Sequence, residues 1–401
     1  MKILIISDHF PPEVCAPAAR NFDHARQWVK EGHEVTIVTC FPNFPIGKVY
    51  EGYKNKLIQK DKIEGINVIR IWSFIAENEG FIFRLLDFLS FAFLSFFVSL
   101  FVKTDIVLTT SPQFFINYTG LFISKIKRIR WVFEIRDIWP ESIRTLGMMK
   151  SDAIYNFFEA QELWLYKKAS KIIVVTNSFK ENLISRGVDG KKIVVVLNGI
   201  YVANYLDVKI TKPISKLENK FVITYLGTHG IAHGLSFILN CAKRLEDKYP
   251  DILFVFVGEG AEKRNLIQQN EKLNLKNTVF FDAIPKSEVP NMLLQSSVCL
   301  VNLRKTTTFE GVIPSKIFEI TALGKPILLG VEGESKKLLE GKGFCWIFRP
   351  EDEEDFILKV QEVYQLIKGN DNISGKARDF AKSYDRGFLA GRILKEVFLE
   401  N

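Results

Sequence analysis

The chain has 401 residues, 47% hydrophobic and 25% charged, a balance that suits a folded globular protein and exceeds what one core organises, so two domains of about 150 to 200 residues are expected. Its net charge of +8 favours anionic partners without choosing among phosphate, nucleic acid and lipid. The five cysteines (Cys15, Cys40, Cys241, Cys299 and Cys345) are scattered and hold no CxxC pair, which excludes a cysteine-spaced metal site and a disulfide framework and points to a reducing compartment.

The N-terminal run "MKILIISDHF" breaks at Asp8, too soon for a signal peptide and at the right length for a first buried strand. Further β-branched runs at 34–39, 67–72, 105–110, 131–135, 171–176 and 192–197 alternate with amphipathic stretches. A second series occupies 221–227, 252–258, 278–281, 298–303, 326–330 and 344–348. Such alternation predicts βα units on parallel sheets, hence an α/β chain of two Rossmann-like domains. The polar, proline-bearing stretch at 200–220 reads as the join. The domains are therefore placed at 1–205 and 206–384, with a last helix, 385–401, crossing back to the first.

"FIFRLLDFLSFAFLSFFVSLFV", Phe81 to Val102, breaks the rhythm because it is almost wholly apolar. It approaches the roughly 20 residues that cross a bilayer, but a crossing would put the strands on either side of it on opposite membrane faces. A crossover helix buried on the sheet is the plain alternative. The expectation adopted is a helix whose inner face packs on the sheet while its phenylalanines enter one leaflet, with 81–103 as the membrane element. Lys54, Lys56, Lys60, Lys62, Lys103, Lys125, Lys127, Arg128 and Arg130 would favour an anionic surface; an ordinary solvated basic face explains them equally.

In open parallel sheets ligands bind at the carboxyl ends of strands, so the loops there are the place to look. "SDHFPPEVCAPAARN" follows the first strand, and small residues such as Ala16 leave room for a ligand at the next helix start; no GxGxxG fingerprint is present. "EIRDIWPES" sets Arg136 and Asp137 at a strand end. They form either a structural ion pair or a site where Asp137 deprotonates a hydroxyl and Arg136 contacts phosphate. "VGEGAEKRNL" puts Gly258 and Gly260 before a helix, as a phosphate loop or a simple tight turn. In "EGVIPSKIFEITALGKPIL", Pro314 is expected in the first helical turn and Gly324 at the stop. Ser315 and Lys316 would face a diphosphate there, and Glu319, one turn on, could accept hydrogen bonds from a ribose; the plain alternative is a surface Lys316–Glu319 ion pair. His33 reads as a turn residue and His24 as a helix residue at the cleft or its rim. His229 and His233 either reach a phosphate or are ordinary loop residues.

These stretches resemble the retaining glycosyltransferases of family 4, which have the GT-B fold, two Rossmann-like domains facing across a cleft. The resemblance runs through "EGHEVTIVT", "VVLNGI", "VGEGAEKRNL" and "PSKIFEITALGKPI". "DHFPPE", "TSPQFF", "FEIRDIWPES" followed by "LG", and "YLGTHGIAHGL" bring it closest to the N-acetylfucosaminyl-transferase branch of bacterial surface-polysaccharide assembly. The resemblance implies transfer from a UDP-sugar with retention, no required metal or cofactor, and no nucleic-acid partner. It also implies a polyprenyl-diphosphate-linked sugar acceptor and a place on the cytoplasmic face of the bacterial inner membrane. Front-face attack would follow, in which the leaving diphosphate helps to take the acceptor proton.

Three positions depart from the family pattern. The first glutamate of its E-x7-E motif falls on Gly311, with Glu310 one residue out of register. The usual diphosphate-gripping arginine and lysine fall on Thr228 and His233, which leaves that charge to Lys316 and to Arg304 or Lys305. The histidine usual after the fifth strand is replaced by Arg136 and Asp137, the catalytic candidates together with Glu310. A UDP-sugar 2-epimerase and a non-catalytic nucleotide-sugar-binding assembly partner are the alternatives.

Overall fold

The computed structural model describes residues 1–44, 47–75, 81–141, 144, 149, 151–367 and 372–399. Ser142 and the Leu146–Gly147 pair of the quoted motifs lie outside them. The chain divides into two compact units, Met1–Asn198 with Arg386–Asn401, and Gly199–Asp385.

Unit 1 is built on eight strands: β1 (Lys2–Ile6), β2 (Glu34–Cys40), β3 (Ile58–Ile63), β4 (Ile66–Ile71), β5 (Ile106–Thr110), β6 (Arg130–Ile135), β7 (Lys171–Val174) and β8 (Ile193–Val195). Their order is β3-β4-β2-β1-β5-β6-β7-β8. All pairs are parallel except β3 with β4. The central strands are buried on both faces, which is why they read as unbroken apolar runs. β3 was not expected from the sequence. Its alternating exposed lysines belong to an edge strand, where charge discourages further pairing, so Lys60 and Lys62 have a structural reason to be there.

Helix α1 (Ala16–Lys30) and the C-terminal helix Arg386–Ile393 cover one face of this sheet, where Trp28 Nε1 donates to Ala390 O at 2.9 Å. The other face carries α2 (Phe81–Phe101), α3 (Ile116–Lys127) and α4 (Asp152–Lys168). On α2 the inner residues Phe91, Ala92, Ser95 and Ser99 are buried. Thr119 Oγ1 and Gln113 Nε2 tie α3 and its approach to the α2 carbonyls of Ala92 and Phe88. Its outer stripe, Phe83, Leu86, Leu89, Phe93, Phe97 and Phe101, is exposed, up to 67% at Phe93 and 88% at Phe101. The helix is thus not buried all round. Among the described residues no helix is long and apolar enough to cross a membrane.

Unit 2 holds a parallel six-stranded sheet of β9 (Phe221–Leu226), β10 (Ile252–Val257), β11 (Thr278–Phe281), β12 (Val298–Asn302), β13 (Ile327–Gly330) and β14 (Cys345–Ile347). Its order is β11-β10-β9-β12-β13-β14. Consecutive strands leave β9 toward β10 on one side, whereas β12 lies on the other; β1 and β5 stand in the same relation in unit 1. Each sheet therefore has a switch point where the chain reverses direction, the place where open parallel sheets bind ligands.

Candidate functional site

In unit 2 the loops after β9 and β10 are locked together. Gly227 N donates to Val257 O (2.9 Å), His229 N to Glu259 O (2.8 Å) and Glu262 N to His229 O (2.9 Å). Gly258 has φ +147° and packs so closely on the Gly227 carbonyl that a Cβ would overlap it, so glycine is required at 258 by backbone packing. On the β12 side, Asn302 Nδ2 donates to His233 O at 2.7 Å and Arg304 N to Ala232 O at 2.9 Å.

The Lys316 ammonium lies against the end of β9. It stands 4.3 Å above the Tyr225 ring, and a Cβ at Gly227 would come within 2.6 Å of Nζ. Among the described residues it joins no ion pair, and burial lowers its pKa to about 8 although the nearby Glu319 opposes the shift. A cation in that state gains from an incoming anion, because the anion restores the interaction that burial removed. Tyr225 donates its hydroxyl to Thr228 O at 2.8 Å, which places the Thr228 turn beside the same ring. His229 and His233 flank Tyr225, with ring centroids 5.9 and 5.8 Å away. Burial brings both pKa values down to about 4, aided by the positive charge of Lys316, so both rings are neutral at pH 7. Among the described residues, both ring nitrogens of His229 and Nδ1 of His233 are buried without a hydrogen-bond partner.

Two expectations change here. The helix begins at Lys316 with Ser315 as N-cap, so Pro314 precedes the helix instead of opening it. Its first amides are used locally, Ile317 N by Pro314 O and Phe318 N by Ser315 O, which leaves the ammonium as the group available to a phosphate. No Lys316–Glu319 ion pair forms. Glu319 instead bonds Lys286, in the turn after β11, and so lies against the 281–288 loop. Gly324 (φ +72°) ends the helix, its N–H going to Thr321 O.

Arg304 pairs with Glu351 (Nε to Oε1, 3.2 Å) at an exposed position, and is not a free counter-charge beside Lys316. Glu310 is exposed at the end of the short helix Thr307–Glu310, with its backbone against Gly333, and Gly311 follows it. Among the described residues, no contact brings either to the Lys316 ammonium.

In unit 1, Arg136 is turned back into the protein. Its Nε donates to Ser111 O (3.1 Å), NH2 donates to the same carbonyl, and Glu134 lies 3.9 Å away. This network holds the Arg136 guanidinium, and the Asp137 amide donates to Ser111 Oγ at 3.2 Å. Glu134 is also bound by Arg20 (3.0 Å) and Thr110 (2.8 Å). Burial raises its pKa, but Arg20 and Arg136 outweigh burial and hold the carboxyl below its ordinary value. Arg20 reaches on to the carbonyls of Val196 and Leu197, so this buried network knits the ends of β5 and β6 to the segment after β8. His24 is buried beside Trp28, away from any rim, and burial together with Arg20 depresses its pKa strongly.

The loop after β1 contains a pair the sequence reading passed over. His9 Nδ1 lies 2.8 Å from Glu13 Oε2, and Glu13 Oε1 accepts from the amides of Asn43 (2.8 Å) and Phe44 (3.0 Å). Cys15, just before Ala16 and α1, brings Sγ within 4.8 Å of both, with its thiol pushed up to about 11 by burial. The i, i+4 spacing of a histidine and a glutamate directly after a strand was the available signal. Ala16 itself is exposed at the first position of α1.

Two parallel Rossmann-type sheets with these helices make the GT-B fold. The solved structure of Anabaena Alr3699/HepE in complex with UDP and glucose matches over the whole of both chains with a TM-score of 0.70 at 16% identity. Residues 19–204 match the family model described as Glycosyltransferase Family 4, and residues 208–380 the model described as Glycosyl transferases group 1. The chain belongs to the glycosyltransferases, with a family 4 domain followed by a group 1 domain. It is 24% identical over 387 residues to the putative colanic acid biosynthesis glycosyl transferase WcaI of Escherichia coli K12, covering 92% of this chain and 94% of WcaI. It is 23% identical over 282 residues to the probable glycosyltransferase WbjE of Pseudomonas aeruginosa, covering 66% and 67%.

Proposed function

We propose that this glycosyltransferase moves a sugar from a UDP-sugar to a polyprenyl-diphosphate-linked acceptor in bacterial surface-polysaccharide synthesis, with retention and without a metal. The transferred sugar is proposed to be an N-acetylated deoxyhexose such as N-acetylfucosamine. The observation that carries the donor part is the half-buried Lys316 ammonium at the end of β9, which joins no ion pair among the described residues. It meets the diphosphate, while Ser315, Thr228 and His233 line its surroundings. Glu319 binds the ribose, exchanging Lys286 for the vicinal hydroxyls, and the 281–284 loop lies toward the base. Lys316 then stabilises the charge that grows on the leaving diphosphate. The UDP complex of HepE supports this choice of donor, and the name of WcaI, with its colanic acid biosynthesis, supports the pathway.

Unit 1 takes the acceptor, and the exposed stripe of α2 lies on the membrane, at the cytoplasmic face of the inner membrane. The stripe is flanked by exposed Lys103, Lys125 and Arg128 at the ends of α2 and α3, a pattern of apolar contact with cationic attraction that suits an anionic leaflet.

A mass-spectrometric screen of UDP-sugars against short polyprenyl-diphosphate sugars tests the reading. A glycosylated lipid product with retained anomeric configuration is expected. Epimer formed from UDP-sugar alone, without acceptor, would replace the transferase by an epimerase.

A further inference from the structure

Unit 2 has a second cation-lined cavity, at the far end of the helix that begins with Lys316. The helix stops at Ala322, and Gly324 and Lys325 just beyond it form one wall of a cavity of 740 Å³. Glu218 before β9, Ser297 before β12 and Pro326 before β13 line it too, so it sits at the amino ends of these strands, whereas Lys316 lies against the carboxyl end of β9. Lys325 is partly buried, and its Nζ donates to Ser296 O at 2.8 Å, which leaves two further N–H bonds to give. Arg378, on the helix Asn372–Ser383, reaches the same wall: a Cβ at Gly324 would lie 2.9 Å from its Nε and would overlap Ser374 Oγ. Among the described residues neither cation joins an ion pair, and Glu218, the one carboxylate on the wall, is exposed and bonds neither. Burial lowers the Lys325 pKa, and the charge of Arg378 lowers it further although Cys299 opposes the shift.

The remaining polar groups of the wall are engaged as acceptors and open as donors. Ser296 O is taken by Lys325, and Gln295 Oε1 accepts from Ile214 N at 2.8 Å. Ser297 Oγ accepts from Val222 N at 3.0 Å, which leaves its hydrogen to give, and the Ser374 hydroxyl beside Gly324 can donate as well. The rest of the wall is aliphatic, formed by Ile210, Ile214, Leu217, Leu294, Ile367 and Ile373. Two cations of like charge, held together without a counter-ion and ringed by donors, gain from an anion that neutralises both.

We propose that this cavity is a second anion site, separate from the donor site, and that it takes a phosphate monoester. The phosphate lies between Lys325 and Arg378, and an apolar or aromatic body lies on the aliphatic wall. Charge selects the class: a monoester carries close to two negative charges at pH 7, matching the two cations, whereas a carboxylate leaves one of them uncompensated. The site does not depend on what Lys316 binds.

Calorimetry on the full chain tests this, with phenyl phosphate, inorganic phosphate and benzoate as probes and with UDP present or absent. Phenyl phosphate should bind at one site with the same affinity, within about twofold, whether or not UDP is present. Inorganic phosphate, which lacks the apolar body, and benzoate, which lacks the second charge, should each bind roughly tenfold more weakly. Arg378→Gln should weaken phenyl phosphate by about tenfold or more; Arg378 is exposed and unpaired among the described residues, so the fold should be unaffected. Lys325→Met should weaken it as much, read beside its melting temperature because Lys325 also braces Ser296 O. Lys316→Met should leave phenyl phosphate binding intact. Wild-type affinity in Arg378→Gln would overturn the proposal, as would competition by UDP or loss of binding in Lys316→Met, either of which would put the phosphate at the donor site. Equal affinity for inorganic phosphate and phenyl phosphate would overturn the apolar half of the site.

Discussion

Glu319 gives its carboxylate to Lys286, 33 residues earlier in the chain, and not to Lys316 one helical turn away. The two lysines are thereby separated in role, one neutralised by a carboxylate and the other left to meet an anion. If Glu319 releases Lys286 for the ribose, UDP should bind more tightly than 2′-deoxy-UDP, by roughly tenfold for a lost hydrogen bond to a charged acceptor. Glu319→Ala should weaken UDP binding at least several-fold and abolish the preference. Calorimetry on both nucleotides reads this; a preference that survives Glu319→Ala would remove the carboxylate from the ribose site.

Replacing Phe93, Phe97 and Phe101 by serine should release the protein from anionic vesicles in a sedimentation assay. These side chains are exposed, so the folded state should lose little, within about 0.5 kcal/mol per site. Binding by the wild type should also weaken with salt, because Lys103, Lys125 and Arg128 contribute through a screened surface potential. Unfolding of the triple variant, instead of release, would mean that the stripe is structural.

Gly258→Ala should be among the most damaging single changes in unit 2. The new methyl would overlap the Gly227 carbonyl at a φ of +147°. A loss on the order of 3 kcal/mol is expected, seen as a fall of about 10 °C in the melting temperature. Gly341 has φ +72° and nothing within 4 Å of its would-be Cβ, so Gly341→Ala should cost only the backbone strain.

Charge compensation of the diphosphate is assigned to Lys316, and the nearby Glu319 is engaged by Lys286. Transfer should therefore continue at an unchanged rate, within about twofold, in excess EDTA. Activity that vanishes with chelator and returns with magnesium would assign that compensation to a metal.

The strands were legible because both faces of each central strand are buried, so burial is written directly into runs such as "KILII" and "ILFVFV". β3 was not, since an edge strand advertises charge in place of hydrophobicity and its pairing is set by the tight turn at Glu64 and Gly65, both with positive φ. In the site, the neighbourhood of Lys316 could be inferred from spacing within one helix. Its isolation could not, because it depends on Lys286 arriving from a different loop. The contacts of Arg136 were not legible for the same reason: Ser111 and Glu134 hold it through sheet pairing across β5 and β6, which no local pattern records. Prolines also mislead at helix starts, since Pro314 suits both the first turn and the residue before the cap.

The Lys316 ammonium is the donor site's principal charge. Its pKa is lowered to about 8, so the cation is present below that pH and is lost above it. Calorimetric titration of the wild type with UDP from pH 7 to pH 9 should show affinity falling by roughly tenfold, with proton uptake on binding near pH 8. In Lys316→Met the affinity at pH 7 should be lower by about tenfold or more, and flat across the same range. Equal UDP affinity in wild type and Lys316→Met at pH 7 would contradict the account.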